Sequence, residues 1–79
     1  MKTTIKVPDV GTGDEQIILC SWEAAPGDVV SEGAPLYVIE ANKATDEICA
    51  DCDMRIVSLL AEEGDPVRPG DVIAEAETF

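Results

Sequence analysis

Seventy-nine residues make one small domain, near the lower size at which a single apolar core holds a fold unaided. Seventeen acidic residues against five basic ones give a formal charge of −12, which argues against nucleic acid and anionic membrane surfaces and for a protein partner with a basic or apolar patch. There is no histidine, so the commonest general base and any Ser-His or Cys-His pairing are missing, and a self-sufficient hydrolase or transferase is not expected.

The chain opens on "MKTTIKVPDVG", which has neither a signal-peptide apolar stretch nor the Arg-rich character of a transit peptide. No apolar run approaches the ~18 residues of a membrane span. A cytoplasmic protein is the expectation. Short β-rich runs follow one another: "TIKV" (4–7), "IILCSW" (17–22), "LYVIE" (36–40), "TDEIC" (45–49), "RIVSLL" (55–60) and "VIAEAE" (72–77). Gly, Pro and Asp clusters separate them, and this spacing predicts an all-β sandwich or flattened barrel with many turns. Alternation in the third run puts Leu36, Val38 and Glu40 on one face and Tyr37 and Ile39 on the other. Apolar residues on both faces suit a strand near the centre of a sandwich. Residues 1–79 read as one domain.

An internal repeat runs through the pattern. "GDVVSEGAPLYVIE" matches "GDPVRPGDVIAEAE", with Gly27 on Gly64, Val30 on Val67, Gly33 on Gly70 and Leu36 on Ile73, each 37 residues on. Two similar halves predict approximate two-fold symmetry.

Cys20, Cys49 and Cys52 are odd in number and too few for a disulfide framework. Zinc on "CADC" would need carboxylates for its other ligands, and a redox C-x-x-C normally caps a helix, whereas this one sits between strand and turn. Three reduced thiols and no metal are expected.

Lys43 stands in a polar break, "NKA", between two of the strands. A hairpin loop of two or three residues fits there, and Asn42 tolerates the left-handed backbone that such a turn demands. With no base or apolar pocket beside it, an exposed turn lysine is a poor nucleophile or Schiff-base amine. Two readings stay open from the residues alone: a solvated turn lysine, or an amine that another enzyme acylates so that a rigid scaffold carries a tethered group.

The combined motifs resemble the lipoyl domains of the biotinyl/lipoyl-carrier family. That family's "E-[ST]-D-K-A" is matched by Glu40-Ala41-Asn42-Lys43-Ala44, and its opening "P-D-[VIL]-G-E-G" by Pro8-Asp9-Val10-Gly11-Thr12-Gly13. Trp22 precedes Gly27-Asp28-Val29-Val30 as in the family, and "EEGD" (62–65), Val67 and Gly70 continue the pattern through nearly the whole chain. The resemblance implies a flattened barrel or sandwich of two four-stranded antiparallel sheets with quasi-two-fold symmetry. It implies lipoic acid in amide linkage on Lys43, with Glu40, Asn42 and Ala44 as flanking recognition residues. It implies a non-catalytic, monomeric carrier that meets a lipoylating ligase and then the decarboxylase, acyltransferase core and dihydrolipoamide dehydrogenase components of a 2-oxo acid dehydrogenase complex. The loop 11–16 is the expected neighbour of the lysine hairpin and, with Glu40, part of the recognition surface. Biotin-carrying relatives place Met-Lys-Met at this tip, which the residues flanking Lys43 do not match. An unmodified interaction module of the same fold, or a biotin carrier, are the alternatives.

Three residues depart from the family pattern. Asn42 replaces an Asp, Asp46 stands where an apolar strand residue is common, and Met54 stands where Gly is usual. A retained family backbone would give Met54 a positive φ, whereas a rearranged turn would pack its thioether over apolar neighbours, and the rearranged turn is the expectation.

Overall fold

The structure, a computed structural model, describes residues 1–9 and 16–79. Eight strands follow in order: β1 (Lys2–Lys6), β2 (Ile17–Trp22), β3 (Val29–Val30), β4 (Pro35–Ala41), β5 (Ala44–Cys49), β6 (Met54–Leu59), β7 (Pro66–Val67) and β8 (Val72–Thr78). They form two four-stranded sheets, β1-β8-β6-β3 and β5-β4-β2-β7, and every pairing is antiparallel. No ladder joins the sheets among the described residues, so the fold is a two-layer sandwich and not a closed barrel. The six expected runs are all strands, with ends displaced by one or two residues. β3 and β7 are additional, and two residues are too few to show a period.

The 37-residue repeat is a symmetry of the hydrogen-bond network. Replacing β2, β3 and β4 by β6, β7 and β8, and exchanging β1 with β5, converts one sheet order into the other. The bulge between Leu19 and Ser21 recurs between Ile56 and Ser58. At the turns, the Gly27 N–H donates to Ile56 O at 2.7 Å, and the Gly64 N–H donates to Leu19 O at the same distance. Asp28 and Asp65 each accept from the backbone N–H three residues earlier, at 2.9 Å. Gly27 and Gly64 sit at φ 93° and 94°, the third residue of turns closed by Asp28 N–H on Ala25 O and Asp65 N–H on Glu62 O. That position of a type II turn needs φ > 0, which glycine takes without a Cβ clash.

Burial follows the two-residue period of the strands. Ile17, Leu19, Tyr37, Ile39, Ile56, Ile73 and Ala74 are fully enclosed, and no charged or polar side chain is buried among the described residues. Tyr37, Ile39 and Ala41 point into the sandwich, while Val38 and Glu40 point out. Leu36 is buried as well, because the β4–β5 register shifts between Pro35 and Tyr37 and swings it off the outer face. Trp22 ties the halves together. Its ring tilts against Tyr37 with centroids 5.4 Å apart, a contact worth about 0.5–1.5 kcal/mol. Its indole N–H donates to Ala61 O at 3.0 Å.

Met54 opens β6 as an ordinary strand residue. It pairs with Val30 and Thr78, is 3% exposed, and is absent from the residues with positive φ. The turn is therefore the rearranged one, with the thioether in the core. Asp46 lies opposite Ile39 and so shares the core side of its strand, yet it is exposed because β5 is a sheet edge. A charge on the inner side of an edge strand discourages pairing with another chain.

Candidate functional site

β4 and β5 pair up to Ala41 opposite Ala44, which leaves Asn42 and Lys43 as a two-residue loop. Asn42 has φ 53° and Lys43 has φ 64°, so both central residues are left-handed, as in a type I′ turn. This turn matches the right-handed twist of the flanking strands. Asparagine adopts it readily and lysine does not. The left-handed backbone of Asn42 is as expected from the sequence; that of Lys43 is imposed by the ladder on either side.

Lys43 is exposed, and among the described residues the one ion pair, Arg55 with Glu77, does not involve it. Its neighbours in the expected recognition set divide by position. Glu40 is exposed on the outer face of β4, opposite Thr45 and Ile18; Asn42 shares the tip; Ala44 is exposed at the start of β5. Glu40, Asn42, Lys43 and Ala44 thus lie together at one end of the sandwich. Of the loop 11–16, only Gln16 belongs to the described residues, so the expected contribution of residues 11–15 lies outside them.

The symmetry mate of this tip is the pair of chain ends. Met1 and Thr78 exchange backbone hydrogen bonds at 2.8 Å, where Ala44 and Ala41 pair in the other half. Trp22 is the end of β2 away from the Lys43 tip and Leu59 is the end of β6 away from the chain-end tip, and both line one groove. The Lys43 tip and the paired chain ends thus close equivalent ends of the two sheets.

Two concave features among the described residues lie elsewhere. A groove lined by Trp22, Leu59 and Glu63 and a cleft between β1 and β5 lined by Tyr37, Ile48 and Cys52 both exclude Lys43. Cys20 and Cys52 are half-buried and Cys49 is exposed, all as free thiols. Partial burial, a hydrogen bond with Asp51 and the carboxylates of Asp51, Asp53 and Glu32 push the Cys52 thiol above its ordinary pKa, which favours the protonated form. No group of three or more His, Cys, Asp or Glu side chains is arranged to hold a metal ion among the described residues.

An exposed amine on a two-residue hairpin tip is a geometry open to attachment, and the comparisons with known proteins bear on what is attached. The family model described as "Biotin-requiring enzyme", covering biotin and lipoyl attachment domains, matches residues 3–76. The chain belongs to the biotin/lipoyl-attachment family. It is 35% identical over 77 residues to the dihydrolipoyllysine-residue acetyltransferase component of the pyruvate dehydrogenase complex of Pseudomonas aeruginosa. That match covers 98% of this chain and 14% of the relative, so the chain spans about a seventh of the length of that protein. Among solved structures, the lipoyl domain of the 2-oxoglutarate dehydrogenase complex from Azotobacter vinelandii superposes with a TM-score of 0.77 at 26% identity, over 92% of both chains. A single-chain long-chain acyl-CoA carboxylase matches at 0.83 and 22% identity, over 99% of this chain and 7% of that one; at that identity the likeness is one of fold. Within the family, this chain is a lipoyl-type domain.

Proposed function

We propose that Lys43 carries lipoic acid in amide linkage and that the domain presents this arm to the enzymes of a 2-oxo acid dehydrogenase complex without catalysing a step itself. The observation behind this reading is Lys43 at the tip of a two-residue type I′ hairpin, inside Glu40-Ala41-Asn42-Lys43-Ala44. The amine fits the group: it is exposed, in no ion pair and beyond the reach of the core, so acylation disturbs no contact of the fold. A lipoylating ligase would join Nζ to the carboxyl carbon of lipoyl adenylate, with AMP and the amine proton leaving. When bound, the lipoyl group supplies a disulfide that accepts electrons and an acyl group and later gives both up.

The chain's own part is positional. The β4–β5 ladder and the enclosed Tyr37 and Ile39 beneath it hold the tip rigid, so that motion belongs to the arm. A tether of this kind confines the reacting group near its partner enzymes and replaces free diffusion between them. Glu40, Asn42 and Ala44 would be the residues that partners read beside the lysine. A cytoplasmic, monomeric domain with reduced thiols is part of the same proposal. Biotin carriage would use the same fold, but Asn42 and Ala44 stand where the Met-Lys-Met of biotin carriers has its methionines.

The test is acyl transfer onto the arm. The lipoylated chain, given separately to pyruvate, 2-oxoglutarate and branched-chain decarboxylase components with their 2-oxo acids, is expected to be acylated by one of them and not when Lys43 is replaced by Arg. Failure with all three components overturns the carrier reading.

A further inference from the structure

The two halves share a backbone and differ in surface, so each sheet is a control for the other. Across the outer face of β1-β8-β6-β3 one row reads Lys2, Glu77, Arg55, Val29 by register. The symmetry-equivalent row of β5-β4-β2-β7 reads Thr45, Glu40, Ile18, Pro66. In the next row Thr4 and Glu75 on the first sheet correspond to Glu47 and Val38 on the second. The first face balances its charge internally. Arg55 pairs with Glu77 at 2.6 Å, Ser58 donates to Glu75 at 2.9 Å, and Lys2 lies on the other side of Glu77.

The second face has lost both cations. Its half-buried Ile18 and Val38 are bordered by Glu40 and Glu47, and among the described residues neither carboxylate is in an ion pair. Apolar exposure does not separate the two faces, since Val29 and Val57 are exposed on the first. Net charge does: Lys2, Arg55, Glu75 and Glu77 cancel across the rows of the first face, whereas Glu40 and Glu47 have no cation beside them in the rows of the face that runs up to Lys43.

We propose that this outer face, Ile18 and Val38 edged by Glu40 and Glu47, is a docking surface for the enzyme that acylates Lys43. The partner it fits presents apolar side chains flanked by arginine or lysine. The inference rests on the carrier reading of Lys43 and deepens it, because an enzyme must choose Lys43 over the exposed Lys2 and Lys6 of the same chain. The hairpin sets Lys43 apart from Lys2 and Lys6, which lie in β1, and the side chains of the face below the hairpin give an enzyme a second feature to read. Opposite charges across the interface raise encounter rate and suppress wrong orientations.

The symmetry supplies the variants. Ile18→Arg with Val38→Glu gives the second face the residues that the first already carries at equivalent positions. Arg55→Ile with Glu75→Val makes the reciprocal change as a control. A lipoate–protein ligase with ATP and lipoate is the probe, and kcat/KM for the unmodified chain is the readout, with thermal melts to show that each variant is folded. The face-swapped variant is expected to lose at least tenfold, mainly in KM, and the control to stay within twofold of the parent chain. Should the face-swapped variant not fold, Glu40→Gln with Glu47→Gln is expected to raise KM and flatten its dependence on ionic strength. Parent-like kcat/KM in both the face-swapped and the glutamine variants overturns the docking surface while leaving Lys43 as the carrier. No modification of the parent chain overturns the carrier reading, and the surface with it.

Discussion

Lys43 holds a backbone angle that costs a lysine roughly 1 kcal/mol relative to glycine, since its Cβ crowds the following carbonyl at φ 64°. Asn-Gly would close the same hairpin without that cost. A residue kept against its own stability at an exposed tip contributes something other than packing. Lys43→Gly is therefore expected to raise the denaturation midpoint, corresponding to a stability gain of up to about 1 kcal/mol after glycine's larger entropy loss, while abolishing lipoylation. A lower midpoint would mean that the lysine holds the turn together. Met54 argues in the opposite direction. Its side chain is part of the core, so Met54→Gly should lower the midpoint with an unchanged denaturant slope, corresponding to a stability loss of about 2–5 kcal/mol as for other large-to-small core changes. Tyr37 supplies the pH dependence. Burial pushes its phenol up to about 12 from 10.0, so the unfolded chain gives up this proton first. The stability from burying the neutral ring is present in full below pH 10.0 and is lost as pH rises toward about 12. Alkaline titration should show phenolate absorbance rising together with loss of β-sheet circular dichroism. Phenolate formation near pH 10.0 in a still-folded chain would contradict this.

At the scale of elements, the symmetry makes a quantitative demand. Gly27 and Gly64 have nearly the same φ, neither would meet a neighbour with an added Cβ, and each donates to the opposite half at 2.7 Å. The strain of φ > 0 is then the whole cost of an alanine, so Gly27→Ala and Gly64→Ala should each destabilise by about 1 kcal/mol and by matching amounts. Denaturant melts of the two variants check this, and a difference beyond about 1 kcal/mol would mean that the turns are not equivalent. The six longer strands were legible because alternation and Gly-Pro-Asp turns bound them. β3 and β7 were not, although Val30 and Val67 were already matched by the repeat; two residues gain their strand geometry from the β6 and β2 ladders they join. β1 starts at Lys2, earlier than its β-rich run, because Lys2 pairs with Glu77 at the far end of the chain.

For the whole molecule, the attachment lysine was readable from its motif, and Asn42 from its tolerance of left-handed backbone. The strain on Lys43 was not, because it is imposed by the pairing of Ala41 with Ala44 and no local preference announces it. The contrast between the two outer faces was also hidden, since it exists only once register places Ile18 beside Glu40 and Arg55 beside Glu77. One arrangement organises the molecule: a dry core, two related sheets, and two equivalent tips, one closed by the pairing of Met1 with Thr78 and the other bearing Lys43. The most direct test of what that second tip is for is intact mass followed by peptide sequencing of the protein made in a lipoate-competent host. One lipoyl group per chain is expected, in amide linkage on Lys43. An unmodified Lys43, biotin at that position, or lipoyl on Lys2 or Lys6 would contradict it.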